Sequence, residues 1–341
     1  MTYLFLDVGG TNLRFFVAEA EAVASPRLIA SMAHNGSEQP ILDLLRSWRL
    51  RGPIQGLGIS VAGPVSSPRV TLTNAGFVVD LAQLCEVCQS PQGVLCNDLA
   101  ALAYGLSICP PERVHLVAGP ELTRHPSVSV AVGVGTGLGV ATCLRIDGKY
   151  LVIPSEAGHA TVAGRDSVHE QTIRQTRDRH GHASNERLIS LGIGLPEIFS
   201  SLAPDGSPAP PAPEKITRSA RERTCDLSSA TMDIFFQLLG TLSGNLALTM
   251  GAGAIYLIGE AFANLEQELR ESKFWESFCD KGRFSEWTKQ VSIYGIRDPL
   301  LAARGLGMLL SSGDAMAGAP GVEMLLSQRG MPPLEQPQLN R

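Results

Sequence analysis

The sequence predicts an α/β protein of two related lobes, and three observations carry that prediction. Apolar, strand-like runs alternate with helix-like segments through the first third of the chain. A turn rich in glycine and threonine, flanked by two apolar runs, occurs near residue 9 and again near residue 135. The length of 341 residues corresponds to two domains at ~150 residues each. With 44% hydrophobic and 18% charged residues, the chain has the material for a sizeable core and is not of a disordered composition.

Tyr3 to Val8 is a near-continuous apolar run, Gly9-Gly10-Thr11-Asn12 makes a tight turn, and Leu13 to Ala18 begins a second strand. Pro40 to Trp48 has helical spacing, and Leu57 to Val61 reads as a buried strand. Val94-Leu95-Cys96 is a short strand running into Asn97-Asp98, after which Leu99 to Gly105 is good helix material. A second unit of the same rhythm starts near His115. Val128 to Val132 and Leu138 to Arg145 are strands joined by a glycine turn, and Asp147-Gly148 turns the chain into a third strand, Tyr150 to Ile153. The echo implies two lobes that each offer a turn of phosphate size. The expected division gives residues 1–110 plus about 299–312 to a small lobe, which recovers the helix Leu300 to Leu310, and 111–298 to a large one. Ala203 to Pro213 holds five prolines and reads as a surface loop. Residues 313–341 read as a peripheral tail, with the apolar patch Val322 to Leu326 expected as a peripheral helix.

The charge balance, 28 Lys plus Arg against 33 Asp plus Glu, gives a net −5 and no basic footprint for nucleic acid or an anionic membrane. Seven irregularly spaced cysteines do not form a secreted disulfide framework, and Met1 to Asp7 lacks the basic start of a signal peptide. Pro126 to Leu144 and Ile234 to Gly259 are uncharged, but glycines and amides interrupt them, so they read as buried elements rather than membrane spans. A cytoplasmic location is expected. Cys85 and Cys88 form a C-x-x-C inside a helix-like stretch with no second pair at zinc spacing, which points to a structural role.

Two constellations carry phosphate chemistry. In Asp7-Val8-Gly9-Gly10-Thr11, glycines let backbone amides close on phosphate oxygens, the threonine hydroxyl adds a donor, and a carboxylate at a strand end can hold Mg²⁺ through water. An aspartate-capped glycine hairpin explains the same residues equally well when they are taken alone. Gly133-Val134-Gly135-Thr136-Gly137-Leu138-Gly139 has the same ingredients. It is not a dinucleotide fingerprint, and the chain contains no G-x-x-x-x-G-K-[ST] loop. Asp98, at a strand-to-helix step, is by itself a helix cap more readily than a base.

Together these motifs resemble the actin-like sugar kinases, and their order resembles the bacterial glucokinases. The two glycine turns, Asn97-Asp98, Glu156-Ala157-Gly158-His159, Asn185-Glu186-Arg187-Leu188, Gly244 to Leu248, Ile255 to Gly259 and Lys281-Gly282-Arg283-Phe284 carry the resemblance, from about Tyr3 to about Leu310. It implies a two-lobed, actin-like (ribonuclease H-like) ATPase fold with a central cleft that closes on sugar, and transfer of the γ-phosphoryl of ATP to the 6-hydroxyl of glucose. By similarity, Asn97, Asp98, Glu156, His159 and Glu186 bind the sugar, with Asp98 as the catalytic base. Asp7, Gly9, Gly10, Thr11, Asn12, Gly135, Thr136, Gly137 and Gly259 hold ATP, with Asp7 reaching Mg²⁺ through water. A homodimer is what the family suggests.

Three positions depart from the family pattern. Thr73-Asn74 is followed by Ala75-Gly76-Phe77 where a tryptophan is usual, Glu260 replaces a second glycine after Gly259, and Ser190-Leu191-Gly192-Ile193-Gly194-Leu195 is one residue longer than the usual glycine turn. The alternatives are the same chemistry on mannose, fructose or an N-acetylhexosamine, and a non-catalytic sugar sensor. A peptide-handling ATPase of this fold would leave the carboxylate set without a purpose.

Overall fold

The computed structural model of the chain describes residues 2–9, 12–19, 22–33, 36–72, 76–204, 206–313 and 318–326, with 260–263 described by backbone alone. The chain divides into two compact units, the first running to Ala101 and resuming at Ala302, the second running from Leu102 to Leu301.

The first unit opens with a hairpin of β1 (Thr2–Val8) and β2 (Asn12–Glu19), followed by β3 (Arg27–Ala33). Apolar residues on both faces of β1 and β2 explain their burial, since the sheet is covered on both sides. The chain continues through α1 (Gln39–Arg49), β4 (Ile54–Val61), a small ribbon of β5 (Arg69–Leu72) and β6 (Phe77–Asp80), α2 (Leu81–Cys88), β7 (Gln92–Asn97) and α3 (Asp98–Gly105). Asp80 caps α2 by accepting the Gln83 amide at 3.1 Å. Strand order is β3-β2-β1-β4-β7; β1 to β3 form an antiparallel meander, and β4 and β7 run parallel to β1. The core gathers Leu4, Leu6, Phe15, Ile59, Leu95 and the inner faces of α1 and α2. Cys85 and Cys88 are buried and unpaired there, and burial, with Cys88 beside it, pushes the Cys85 thiol up to about 12, as suits a packing role.

The second unit repeats the plan. It runs β8 (Val114–Ala118), β9 (Val128–Val134), β10 (Leu138–Ile146) and β11 (Lys149–Ser155), then α4 (Ser167–His180), α5 (Asn185–Ile189), α6 (Gly194–Leu202), α7 (Pro213–Arg221) and α8 (Asp226–Met250). β12 (Ala254–Ile258), α9 (Glu260–Glu271), α10 (Phe274–Cys279), α11 (Ser285–Thr288) and β13 (Ser292–Ile296) complete it. Asp147 and Gly148 both have positive φ, the two-residue hairpin geometry whose twist matches the strands it joins. Strand order is β11-β10-β9-β12-β13-β8, again a meander of three followed by two parallel strands. The uncharged stretch from Ile234 is the buried half of α8, which ends at Gly251 in the left-handed conformation, followed by the fully buried β12. No described helix is long and apolar enough to cross a membrane.

After β13 the chain returns to the first unit through α12 (Leu301–Ser312) and β14 (Val322–Leu326). Here the structure corrects the reading of the tail. Val322–Leu326 is not a peripheral helix but an edge strand, antiparallel to β7 with Met324 opposite Val94. Five residues are too few for a stable helix, and the open edge of β7 supplies the hydrogen bonds. The two units part inside α3 and α12, ahead of Pro110. The end of α3 stays with the second unit because Gly105 packs directly on the Leu301 carbonyl, leaving no room for a side chain.

Candidate active site

In the first unit, the parallel strands bring the polar residues to one edge. Asp7 stands opposite Ser60, and Ser60 opposite Cys96, so Asp7 and the Asn97-Asp98 pair lie at the C-terminal ends of strands two spacings apart, roughly 10 Å. Ligands of open α/β sheets bind beyond this edge. The Ser60 hydroxyl donates to Asp7 Oδ1 at 2.8 Å, and Arg14 Nε lies 3.3 Å from Asp7 Oδ2. The carboxylate is therefore oriented from two sides. The Gly9 amide donates to the Asn12 carbonyl at 3.0 Å and closes the turn between β1 and β2; Gly10 and Thr11 lie outside the described residues.

Asn97 and Asp98 divide their duties. Asn97 Oδ1 accepts the Ala100 amide at 3.1 Å, and its Nδ2 donates to the Gly63 carbonyl at 3.0 Å. Asn97 thus caps α3, the duty that sequence reasoning offered to Asp98. Asp98, one residue later in the first turn, accepts the amide of its neighbour Leu99 at 2.7 Å. Both carboxylates act on one buried thiol: burial, then the charges of Asp98 and Asp7, push the Cys96 thiol well up.

In the second unit, the turn after β9 is closed by the Gly135 amide donating to the Gly137 carbonyl at 3.0 Å, with Thr136 exposed at its tip. Gly259 ends β12 beside it with φ +139°, pressed on the Val134 carbonyl. Both its backbone angle and the space exclude a side chain. The sugar-type carboxylates come from segments outside the sheet. A 3₁₀ turn, Ala157–His159, follows β11, and Gly158 packs on the Leu138 carbonyl. His159 Nε2 lies 3.7 Å from Glu156 Oε2, and its Nδ1 lies 3.4 Å from Glu186 Oε2. One imidazole thus bridges two carboxylates. Asn185, buried at the start of α5, donates through its amide to the Ala160 carbonyl at 2.8 Å and through Nδ2 to the Ala157 carbonyl at 2.9 Å. Ser184 caps α5 by accepting the Arg187 amide.

The structure thus gathers Asp7, Gly9, Asn12, Asn97 and Asp98 at one sheet edge, and Gly135, Thr136, Gly137, Glu156, His159, Glu186 and Gly259 around the β9 turn and α5. Of the departures, residues 73–75 and the Glu260 side chain lie outside what is described. Sequence reasoning missed Ser60, Arg14 and Asn185. Arg14, a charge in the apolar run Leu13 to Ala18, and Ser60, a lone hydroxyl in Leu57 to Val61, were available signals. Asn185 gave none beyond its motif. Among the described residues, no cluster of three or more His, Cys, Asp or Glu is arranged to hold a metal ion.

Known proteins resemble this chain in sequence and fold. The family profile described as Glucokinase matches residues 4–312. A glucokinase of Zymomonas mobilis is 32% identical over 308 residues, covering 88% of this chain and 94% of its own. A glucokinase crystal structure from an Antarctic psychrotroph superposes with a TM-score of 0.78 at 26% identity, covering 92% and 99% of the two chains. A glucokinase from Balamuthia mandrillaris, solved in complex with glucose, has the same fold, with a TM-score of 0.76 at 21% identity over 92% and 94%. With a family match over nearly its whole length and the fold of these solved glucokinases, the chain belongs to the glucokinase family.

Proposed function

We propose that the protein transfers the γ-phosphoryl group of ATP to the 6-hydroxyl of glucose, yielding glucose 6-phosphate and ADP. The observation that carries this reading is the division of labour at the head of α3. Asn97 caps the helix, so the cap of α3 does not depend on Asp98, whose carboxylate accepts the neighbouring Leu99 amide and is the group we assign to proton transfer. The proton of the 6-hydroxyl passes to Asp98, the hydroxyl oxygen forms a bond to the γ-phosphorus, and the bond from that phosphorus to the β,γ-bridging oxygen breaks, with its electrons leaving on ADP. A positioned base contributes ~10²–10⁴-fold.

A hexose is neutral and rich in hydroxyls, so its recognition needs side chains that accept and donate in pairs. Asn97, Asp98, Glu156, His159 and Glu186 have that chemistry, and the His159 bridge keeps two of the carboxylates oriented. The glycine turns at Gly9 to Asn12 and Gly135 to Gly137 suit the phosphates. Asp7 fits Mg²⁺: a hard carboxylate, held by Ser60 and Arg14 at a strand end, matches an oxygen-seeking ion that keeps its waters. Mg²⁺ on the nucleotide spreads the phosphate charge. Glucokinase family membership supports glucose as the acceptor and ATP as the donor. The same reading gives a cytoplasmic homodimer without nucleic-acid or membrane partners.

A coupled assay of ADP release with glucose, mannose, fructose and N-acetylglucosamine tests the proposal. Glucose-dependent release exceeding that with the other sugars is expected. No sugar-dependent release with any of them overturns it.

A further inference from the structure

α5 is five residues long, and both of its ends touch the Gly135–Gly137 turn. At the first end, Glu186 Oε1 stands 2.6 Å from where a methyl group on Gly137 would lie. At the other, α5 leaves through Ser190-Leu191-Gly192-Ile193-Gly194, the turn whose sequence is longer than its family pattern. The Leu191 amide donates to the Gly135 carbonyl at 2.8 Å. A methyl group on Gly192 would lie 3.0 Å from the Thr136 carbonyl oxygen, 3.0 Å from its Cγ2 and 3.1 Å from its Cα. The buried Ser190 holds this segment in shape by accepting the Gly194 amide at both its carbonyl, 3.0 Å, and its hydroxyl, 3.2 Å.

The same short helix that presents Glu186 therefore grips the glycine turn from two sides. We propose that Gly192 is a positioning residue for ATP: by lying bare on Thr136, it sets the height of the Gly135–Gly137 turn against the helix that carries Glu186. This rests on the reading of that turn as a phosphate site and of Glu186 as a sugar ligand. Two of the three atoms that a methyl group would crowd are backbone, so a larger residue shifts the turn itself and not merely a flexible side chain. The segments that carry Glu156, His159 and Glu186 have links of their own: Asn185 ties α5 to the Ala157 carbonyl, Ser184 caps α5, and His159 lies between the two carboxylates. Nucleotide binding should therefore respond to residue 192, and sugar binding should not.

Gly194 provides the control for a purely structural role. A methyl group there would lie 2.7 Å from the Leu188 carbonyl and 3.1 Å from the Ile189 nitrogen, so its nearest neighbours are the backbone at the exit of α5 and not Thr136. The experiment measures KM for MgATP at saturating glucose, KM for glucose at saturating ATP, and Tm, in Gly192→Ala and Gly194→Ala. Gly192→Ala is expected to raise KM for ATP about tenfold or more while KM for glucose stays within about twofold. Gly194→Ala is expected to lower Tm without separating the two constants. Thr136→Ser in the Gly192→Ala background removes the Cγ2 contact and should recover part of the ATP affinity.

Equal changes in both constants, or an unchanged KM for ATP in folded Gly192→Ala, overturn the proposal. If Gly192→Ala does not fold, hydrogen exchange on the wild-type protein decides. A non-hydrolysable ATP analogue should slow exchange of the Leu191 amide, and an unaltered rate overturns the proposal. A wild-type protein with no hexose-dependent ADP release overturns both this proposal and the kinase reading; an active wild type with an indifferent residue 192 overturns this one alone.

Discussion

At the end of β1, Asp7 pairs across the hairpin with Arg14; at the matching place in the second unit, Gly133 at the end of β9 pairs with Gly139. One sheet thus offers a charged pair beside its glycine turn, and the other a bare backbone. The contrast continues along the two sheets. In the first unit, Asp7, Asn97 and Asp98 stand on strand ends or the residue just beyond, so the sheet itself positions them. In the second, Glu156, His159 and Glu186 come from segments after β11, held by the Asn185 hydrogen bonds and by glycines packed without side chains. One strand plan can serve two purposes because core packing constrains the buried strand interiors and leaves their ends to carry different side chains. The charged edge suits proton transfer and a cation, and the bare edge lets backbone and an inserted helix approach closely.

The largest effect expected is at the charged edge. Asp98→Asn removes the proton acceptor but keeps the size of the side chain, so kcat should fall by ~10²–10⁴-fold. Calorimetry should still detect glucose binding, because Asn97 keeps α3 capped. Substantial residual turnover would assign the base elsewhere. Next, Asp7→Ala should raise the Mg²⁺ concentration for half-maximal rate by roughly 10–100-fold, the scale seen when outer-shell ligands are removed. Ser60→Ala, which only deprives Asp7 of one donor, should shift it in the same direction by less. A Mg²⁺ titration of the three proteins checks the order; an unshifted curve for Asp7→Ala would break the distinction between the two edges.

This contrast also explains what could be read before the structure. The strands, both glycine turns and the Asp147-Gly148 hairpin were legible because apolar runs and turn chemistry are local. Asp98 and the Glu156 to His159 set could be named only through their order in the family resemblance, since Asp98 alone reads as a helix cap. The partners were not legible: Ser60 lies 53 residues from Asp7, and the Asn97 bond to Gly63 spans 34. Register between parallel strands decides such contacts, and no local pattern encodes it. Val322 to Leu326 was misread for the same reason, since its partner β7 is far away in sequence. In the second unit, the Asn185 bond to Ala157 is similarly non-local, spanning 28 residues. Asn185→Ala removes one of the two donors to the Ala157 carbonyl, which keeps the Ala160 amide at 3.2 Å, and should cost about 0.5–1.5 kcal/mol of stability. It should also raise KM for glucose with little change in KM for ATP, because the loop it braces carries His159; equal changes in both would show that the loop is held by other contacts.

The smallest effect concerns pH and the same inserted region. Asp166 caps α4 by accepting the amides of Val168 at 3.0 Å and His169 at 2.9 Å, and the His169 hydrogen bond is the main cause that holds its carboxyl below the ordinary 3.8. His169 is buried, and its Nδ1 accepts the Arg165 amide at 3.3 Å. Burial, reinforced by the Arg165 charge and opposed by Asp166, holds this imidazole below its ordinary 6.5. Both shifts are downward, so both act with the same sign. As pH falls through 6.5, the unfolded histidine takes up a proton that the folded one refuses; the unfolded state then binds more protons and stability declines. Below 3.8 the unfolded Asp166 does the same, and the decline continues. Tm should therefore be lower at pH 5.5 than at pH 7.5, with each kcal/mol lost worth about 2–4 °C for a unit of this size. His169→Asn should lower Tm at pH 7.5 through the altered packing, yet flatten the slope between those two pH values. A slope as steep as that of the wild type would place the titrating group outside α4.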